Sequence, residues 1–272
     1  MTLIKKWMVL NSFQLKLIGI LLMVFDHVHQ FFHTEGIPLW FTWLGRIVAP
    51  IFLFASAEGF HYTRSKSKYL LHLYAGYLFM LIMSATIPAF FPSDNVLMNN
   101  IFGTLFLSVL YMTLIDRFIE AIKRRRGGAI VWSFVLMLLP IIWTFVSMYM
   151  FSFLASQEKI SIMGLYMIQF FPSLLMTEGS FIFVLLGVMF YYLRKYRMAQ
   201  IAALVAVSIF VGLNSPVPMY NLNGNFQWLM VAAAIPIYLY NGQKGRNMKY
   251  FFYLFYPAHI YFLYILAYYW NR

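Results

Sequence analysis

The chain has 272 residues, 62% apolar and only 10% charged, with a mean hydropathy of +0.74. Soluble domains are about 45–50% apolar and about 25% charged, so a water-soluble fold is excluded and lipid must cover much of this surface. There is no cysteine, which removes disulfides, thiolate metal sites and a thiol nucleophile; the net charge of +12 sits in short gaps between apolar runs, a membrane-topology pattern that argues against nucleic acid.

Lys5 and Lys6 precede the mostly apolar run 15–25, as in a signal peptide, but the run ends in Asp26-His27 with no small-residue cleavage site. It reads as an uncleaved first span. A spanning helix needs about 20 mostly apolar residues. On that measure spans are expected at 13–32, 39–62, 69–90, 97–119, 129–153, 177–193, 198–213, 226–240 and 250–270. The fold class expected is therefore all-α: a polytopic integral-membrane bundle of about nine transmembrane helices, in a single domain over 1–272. The run 160–176 is apolar but contains Gln169 and Pro172. Counting it as a span would reverse every later loop, so it is expected to be an outer-face re-entrant or interfacial helix.

Charge orients this list. With the amino terminus cytoplasmic (Lys5, Lys6, Lys16), the inner loops and helix ends hold Arg64, Lys66 and Lys68; Arg117 and Lys123 through Arg126; Arg194, Lys195 and Arg197; and Lys244, Arg246 and Lys249. The outer side keeps only Lys159 and Arg272. The positive-inside rule then places the protein in the cell membrane with its carboxyl terminus outside.

An ionised side chain at mid-bilayer costs about 2.5–3.5 kcal/mol and usually faces a partner or a cavity. Asp26 and His27 lie roughly six residues, about 10 Å, from the outer end of the first span, and Arg46 lies at a similar depth in the second. An Asp26–Arg46 ion pair is the simplest solution. It either only pins two helices together or serves function, with Asp26 or Arg46 orienting His27, or Arg46 binding an anionic group. His29 and His33 share a face with Asp26, but one helix supplying every ligand is unusual, and no metal is expected. Glu58 and His61 stand one turn apart before Arg64, Lys66 and Lys68. They either cap the interface or form a cytoplasmic vestibule for a phosphorylated ligand. In Tyr256-Pro257-Ala258-His259, Pro257 frees the Tyr253 carbonyl and predicts a kink, and a histidine beside it at mid-depth is no anchoring residue. Asn99, Asn100 and Thr104 read as capping and interhelical hydrogen bonds, and Glu178 as capping. No phosphate loop, GxSxG, HExxH or dinucleotide fingerprint occurs.

Several segments resemble the TraX family. They are Leu17-Ile18-Gly19-Ile20-Leu21-Leu22-Met23-Val24-Phe25-Asp26-His27, Arg46-Ile47-Val48-Ala49-Pro50-Ile51-Phe52, Ala57-Glu58-Gly59-Phe60 before Thr63-Arg64, Asn100-Ile101-Phe102-Gly103-Thr104-Leu105, and Phe255-Tyr256-Pro257-Ala258-His259. The likeness runs in order from the first span to the last. That family is named for the enzyme that acetylates the amino terminus of conjugative pilin, and it is similar to the wider group of integral-membrane acyltransferases. The resemblance implies a membrane acyltransferase that takes acetyl or another acyl group from acyl-CoA in the cytoplasm. The acceptor, in or across the membrane, would be a peptide amino terminus, a glycan or a lipid.

With that chemistry in view, His27 is the expected base, oriented by Asp26, with His259 the second candidate or a relay. Arg46 would hold Asp26 or polarise a carbonyl. The substrate-contact set is Glu58, His61, Arg64, Lys66, Lys68, Asn100 and Tyr256. His27 is placed toward the outer side and the cationic residues toward the cytoplasm, so either the pantetheine arm, roughly 15–20 Å long, reaches through a tunnel or the histidines hand over an acyl group. A proton-coupled transporter or lipid flippase relaying protons through Asp26, Arg46, His27 and His259 is the competing reading. A non-catalytic assembly factor for surface appendages is the third.

Overall fold

The computed structural model describes residues 8–98, 100–156 and 162–270. Lys5, Lys6, Asn99, Lys159 and Arg272, which entered the topology and capping expectations, lie outside the described residues. The described regular structure is helical: α1 (Ser12–Phe32), α2 (Trp40–Gly45), α3 (Val48–Tyr62), α4 (Lys66–Phe90), α5 (Ile101–Lys123), α6 (Gly127–Ala155), α7 (Ile162–Ile168), α8 (Ser180–Tyr192), α9 (Arg197–Leu213), α10 (Ala234–Tyr238) and α11 (Lys249–Trp270).

Among the described residues, five stretches are long and apolar enough to cross a membrane: Ser12–Glu35, Trp40–Tyr62, Lys66–Phe90, Gly127–Ala155 and Lys249–Trp270. The expected count of nine is not confirmed, and the stretches 226–240 and 177–193 differ from expectation. The run 226–240 is a 3₁₀ segment, Gln227–Ala233, followed by the five-residue α10. At 1.5–2.0 Å per residue these elements reach only about 22 Å, against a hydrocarbon core of about 30 Å. The stretch 177–193 shrinks to the 13-residue α8, whereas 198–213 is matched by the 17-residue α9. The fourth expected span begins later, at Ile101, and runs 23 residues to Lys123. In the described part of the run 160–176 the helix is the seven-residue α7, too short to span, and the expectation that this run does not cross stands.

The stretch 39–62 is interrupted at Arg46-Ile47. Pro50 explains the break, because it has no N–H to give the Arg46 carbonyl and its ring crowds that carbonyl. Pro257, by contrast, lies inside a continuous α11.

The chain divides into two compact units. The first comprises Met1–Gly59, Ser84–Met98 and Met189–Arg272. Here α1 packs on α2 and α11. The Asn11 side chain caps α1 in a reciprocal box with Gln14, both bonds 3.0 Å. Leu10 pairs with Leu239 and Asn241 through backbone bonds of 3.0 and 2.8 Å, which ties the start of α1 to the end of α10. Tyr264 is fully buried, packs edge-on against Phe31 and donates to the Phe91 carbonyl (2.9 Å). Asn225, 3% exposed, clamps the loop before the 3₁₀ segment by donating to the carbonyls of Gly212 and Val217.

The second unit comprises Phe60–Met83 and Asn99–Val188 and is built around α5, buried along much of its length. The irregular chain after α7 would leave backbone carbonyls unsatisfied in an apolar setting. Side chains answer them: Tyr77 donates to Gln169, Tyr74 to Phe170, Trp143 to Phe171 and Thr104 to Glu178, at 2.5–3.0 Å. In α6 a seam of Ser133, Pro140, Thr144 and Ser147 is buried while the large apolar side chains face outward, the pattern of a helix against lipid.

Gly103 lets α5 approach this loop closely. A Cβ there would lie 3.0 Å from both Thr177 Cγ2 and the Tyr77 ring. Gly103→Val is expected to destabilise the protein by about 1–3 kcal/mol, seen as a lower thermal midpoint in detergent. The outward Leu139→Ala should leave the midpoint unchanged.

Candidate active site

The ionisable residues singled out in the first, second and last spans meet within the first unit. Asp26 and Arg46 form an ion pair in which the single nitrogen Nη2 of Arg46 lies 2.9 and 2.8 Å from the two carboxylate oxygens. Such charge-assisted hydrogen bonds are stronger than neutral ones. The rest of the guanidinium is also occupied: Nε donates to the Thr42 carbonyl (3.2 Å) and Nη1 to Gln227 Oε1 (3.1 Å), and the group lies over the Phe226 ring. The Thr42 hydroxyl hydrogen-bonds His29 Nδ1 at 2.9 Å. Arg46 is thus held on several sides, which suits fastening more than approach to a substrate.

Gly45 makes room for this clasp, since a Cβ there would fall on the Asp26 carboxyl group. Gly45→Ala is expected to push Asp26 off Arg46 and cost about 1–3 kcal/mol. A chemical-denaturation series measures it, and an unchanged midpoint would show that the carboxylate can move aside freely.

His27 and His259 form the second element. His27 Nδ1 stands 2.7 Å from His259 Nε2, and His259 Nδ1 stands 2.7 Å from the Phe255 carbonyl. The two rings are 4% and 8% exposed, so bulk water is kept from their contact. A carbonyl only accepts, so His259 Nδ1 carries the proton it donates to Phe255. In the neutral pair His259 Nε2 is then an acceptor, His27 Nδ1 donates to it, and the His27 Nε2 lone pair is the basic end of the chain. Phe255 stacks on His259 at 5.0 Å with a 15° interplanar angle, and Tyr256 meets the same ring edge-on. The two helices supplying the histidines pack directly on each other. His27 is hydrogen-bonded to His259, while Asp26 is engaged by Arg46.

The proposed cationic vestibule is distributed differently. In the first unit Glu58, 8% exposed, lies in the field of Arg197 and Arg194, close to Tyr240. In the second unit Lys66 pairs with Asp116 at 2.6 Å and lies over the Phe60 ring, His61 packs on Tyr62, and Arg64 and Lys68 are exposed. Asn100, also in the second unit, donates to the Tyr77 carbonyl at 3.1 Å. Among the described residues no group of three or more His, Asp or Glu is placed to hold a metal ion.

Sequence reading did not select Thr42, Gln227, Arg197, Tyr240 or Asp116. Gln227 and Asp116 carried a usable signal, as polar residues at the edges of apolar runs. The partners of all five depend on tertiary register, which no local pattern encodes.

A family model described as TraX protein matches residues 12–267, nearly the whole chain and every residue of the paired clusters just described. The chain belongs to the TraX family. Neither a curated protein nor a solved structure matches it significantly. The apolar helices fit a multi-pass membrane protein of this family. The TraX model takes in α1, α3 and most of α11, so both histidines, Asp26 and Arg46 lie within the matched region.

Proposed function

We propose that this TraX-family protein is a membrane-bound acyltransferase that moves an acetyl or other acyl group from acyl-CoA to an acceptor in or across the cell membrane. The observation that supports the reading is the buried His27–His259 pair, hydrogen-bonded at 2.7 Å and anchored on a backbone carbonyl. Family membership adds to it, because the family is associated with pilin acetylation.

In this reading His27 Nε2 removes a proton from the acceptor's amine or hydroxyl as that group attacks the thioester carbonyl. The new bond forms to the acyl carbon, the carbon–sulfur bond breaks, and CoA leaves as the thiolate, which takes the proton back from His27. His259 is a positioning residue: it holds the His27 ring and fixes which nitrogen carries the lone pair. Asp26 and Arg46 fasten α2 to α1 beside that ring. Glu58 and Tyr256 in the first unit, and His61, Arg64, Lys66, Lys68 and Asn100 in the second, are each proposed substrate contacts, with acyl-CoA entering from the cytoplasmic side and the carboxyl terminus outside. The acceptor is a peptide amino terminus, a glycan or a lipid.

The Asp26–Arg46 pair within the apolar helices also suits a proton-coupled transporter or flippase. Purified protein in detergent should bind acetyl-CoA and release free CoA, slowly to water and faster with an acceptor. Protein that neither binds nor turns over acetyl-CoA, yet moves protons or lipid across proteoliposomes, would establish the transporter instead.

A further inference from the structure

Arg197 opens α9 and its guanidinium is built into a fixed setting. It packs on the rings of Phe54 (4.8 Å) and Tyr240 (5.1 Å), themselves edge-to-face at 5.3 Å. Nη1 donates to Gln200 Oε1 at 3.1 Å, and Gln200, completely buried, is held in turn by donating to the Phe190 carbonyl at 2.6 Å. Arg197 Nε is buried and has no hydrogen-bond partner among the described residues. Glu58 acts on Arg197 electrostatically without a direct ion pair.

A buried, uncompensated donor on a charged group is costly. The Nε and Nη2 hydrogens of a guanidinium lie side by side and match two oxygens of a phosphate or carboxylate. Three further features select an oxyanion. Arg194 and Lys195 precede Arg197 in the same turn. The Tyr196 side chain makes no capping bond to α9, so the positive end of that helix is not answered by its own cap. The flanking rings fix the plane of the fork, which reduces the entropy lost on binding.

We propose that the unpartnered Nε–Nη2 edge of Arg197 binds a phosphate group, the diphosphate of the acyl-CoA donor. The inference rests on the acyl-transfer reading and gives its donor an anchoring residue that the sequence reading did not choose. Glu58 is then a positioning residue that keeps the guanidinium in place between the rings.

The test is calorimetric titration of the full-length protein in phospholipid-free detergent with two donors, acetyl-CoA and acetyl-pantetheine, which carries the same thioester without phosphates. Arg197→Gln should weaken acetyl-CoA binding about 10- to 100-fold and leave acetyl-pantetheine unchanged, with Arg197→Lys in between. Glu58→Gln should weaken acetyl-CoA less than Arg197→Gln does. Equal losses for both donors would make Arg197 a structural residue and overturn the proposal, as would no loss for either. An Arg197→Gln defect that appears only in phosphatidylglycerol nanodiscs would assign the fork to a lipid headgroup and overturn it too. Acyl transfer that is insensitive to Arg197 removes this inference alone. Arg197-dependent acetyl-CoA binding without transfer removes the catalytic reading and keeps the site.

Discussion

Arg46→Met is expected to lower the stability of the detergent-solubilised protein by about 2–3 kcal/mol, below the roughly 3–5 kcal/mol for a fully buried pair because this one is only partly buried. Asp26 would lose both of its short contacts to Arg46 and be left without a charge partner in an apolar helix pair. Removing both charges is a different experiment. Asp26→Leu with Arg46→Met leaves no stranded ion, and replacing a buried pair by apolar groups is often neutral or stabilising. The double variant should therefore recover most of the loss, with a coupling energy of about 2–3 kcal/mol. Thermal and denaturant midpoints across the four proteins measure it. Additive losses would show that the two residues act separately. If the double variant also retains acyl transfer, the pair is a fastener; if it is stable but inactive, the pair has a part in the chemistry.

The second large effect is on rate. His27→Gln cannot take up a proton and should reduce acyl transfer from acetyl-CoA by about 10²–10⁴-fold, the range for losing a general base. His259→Gln should reduce kcat by a smaller factor, because water or the glutamine amide replaces part of the hold on His27 without restoring the tautomer. The double variant should be no slower than His27→Gln, since the two rings act as a unit. A structural role would instead give additive losses that track the thermal midpoint. Acetyl-CoA affinity should be unchanged in all three variants.

Much of the fold was legible because hydropathy reports length and depth directly. The spans at 13–32, 69–90, 129–153 and 250–270 correspond closely to α1, α4, α6 and α11. The reading failed where apolar composition was not matched by regular backbone. The run 226–240 is as apolar as a short span, yet it folds as a 3₁₀ turn and a stub of helix. Composition counts side chains; it does not count main-chain hydrogen bonds. In the site, Asp26–Arg46 could be inferred because a charge in lipid demands a partner and only one lay at similar depth on a neighbouring helix. The His27–His259 contact joins residues 232 positions apart, and Gln227 reaches Arg46 across 181. Such pairings follow from packing register, which a single sequence does not state.

The interrupted ladder at Arg46-Ile47 has a dynamic consequence. Trp40–Gly45 is fastened to its surroundings through side chains: Arg46 to Asp26, Thr42 to His29 and Trp43 to the Leu222 carbonyl. A continuous rod would resist displacement along its whole length, whereas this short piece moves once it gives up its polar contacts and the packing of Trp40 and Phe41 on Phe25, while Val48–Tyr62 stays in register. Residues 40–45 are therefore the expected point of local opening beside the histidines, and amide exchange should run faster there than in 50–58 and faster still once Arg46 is replaced.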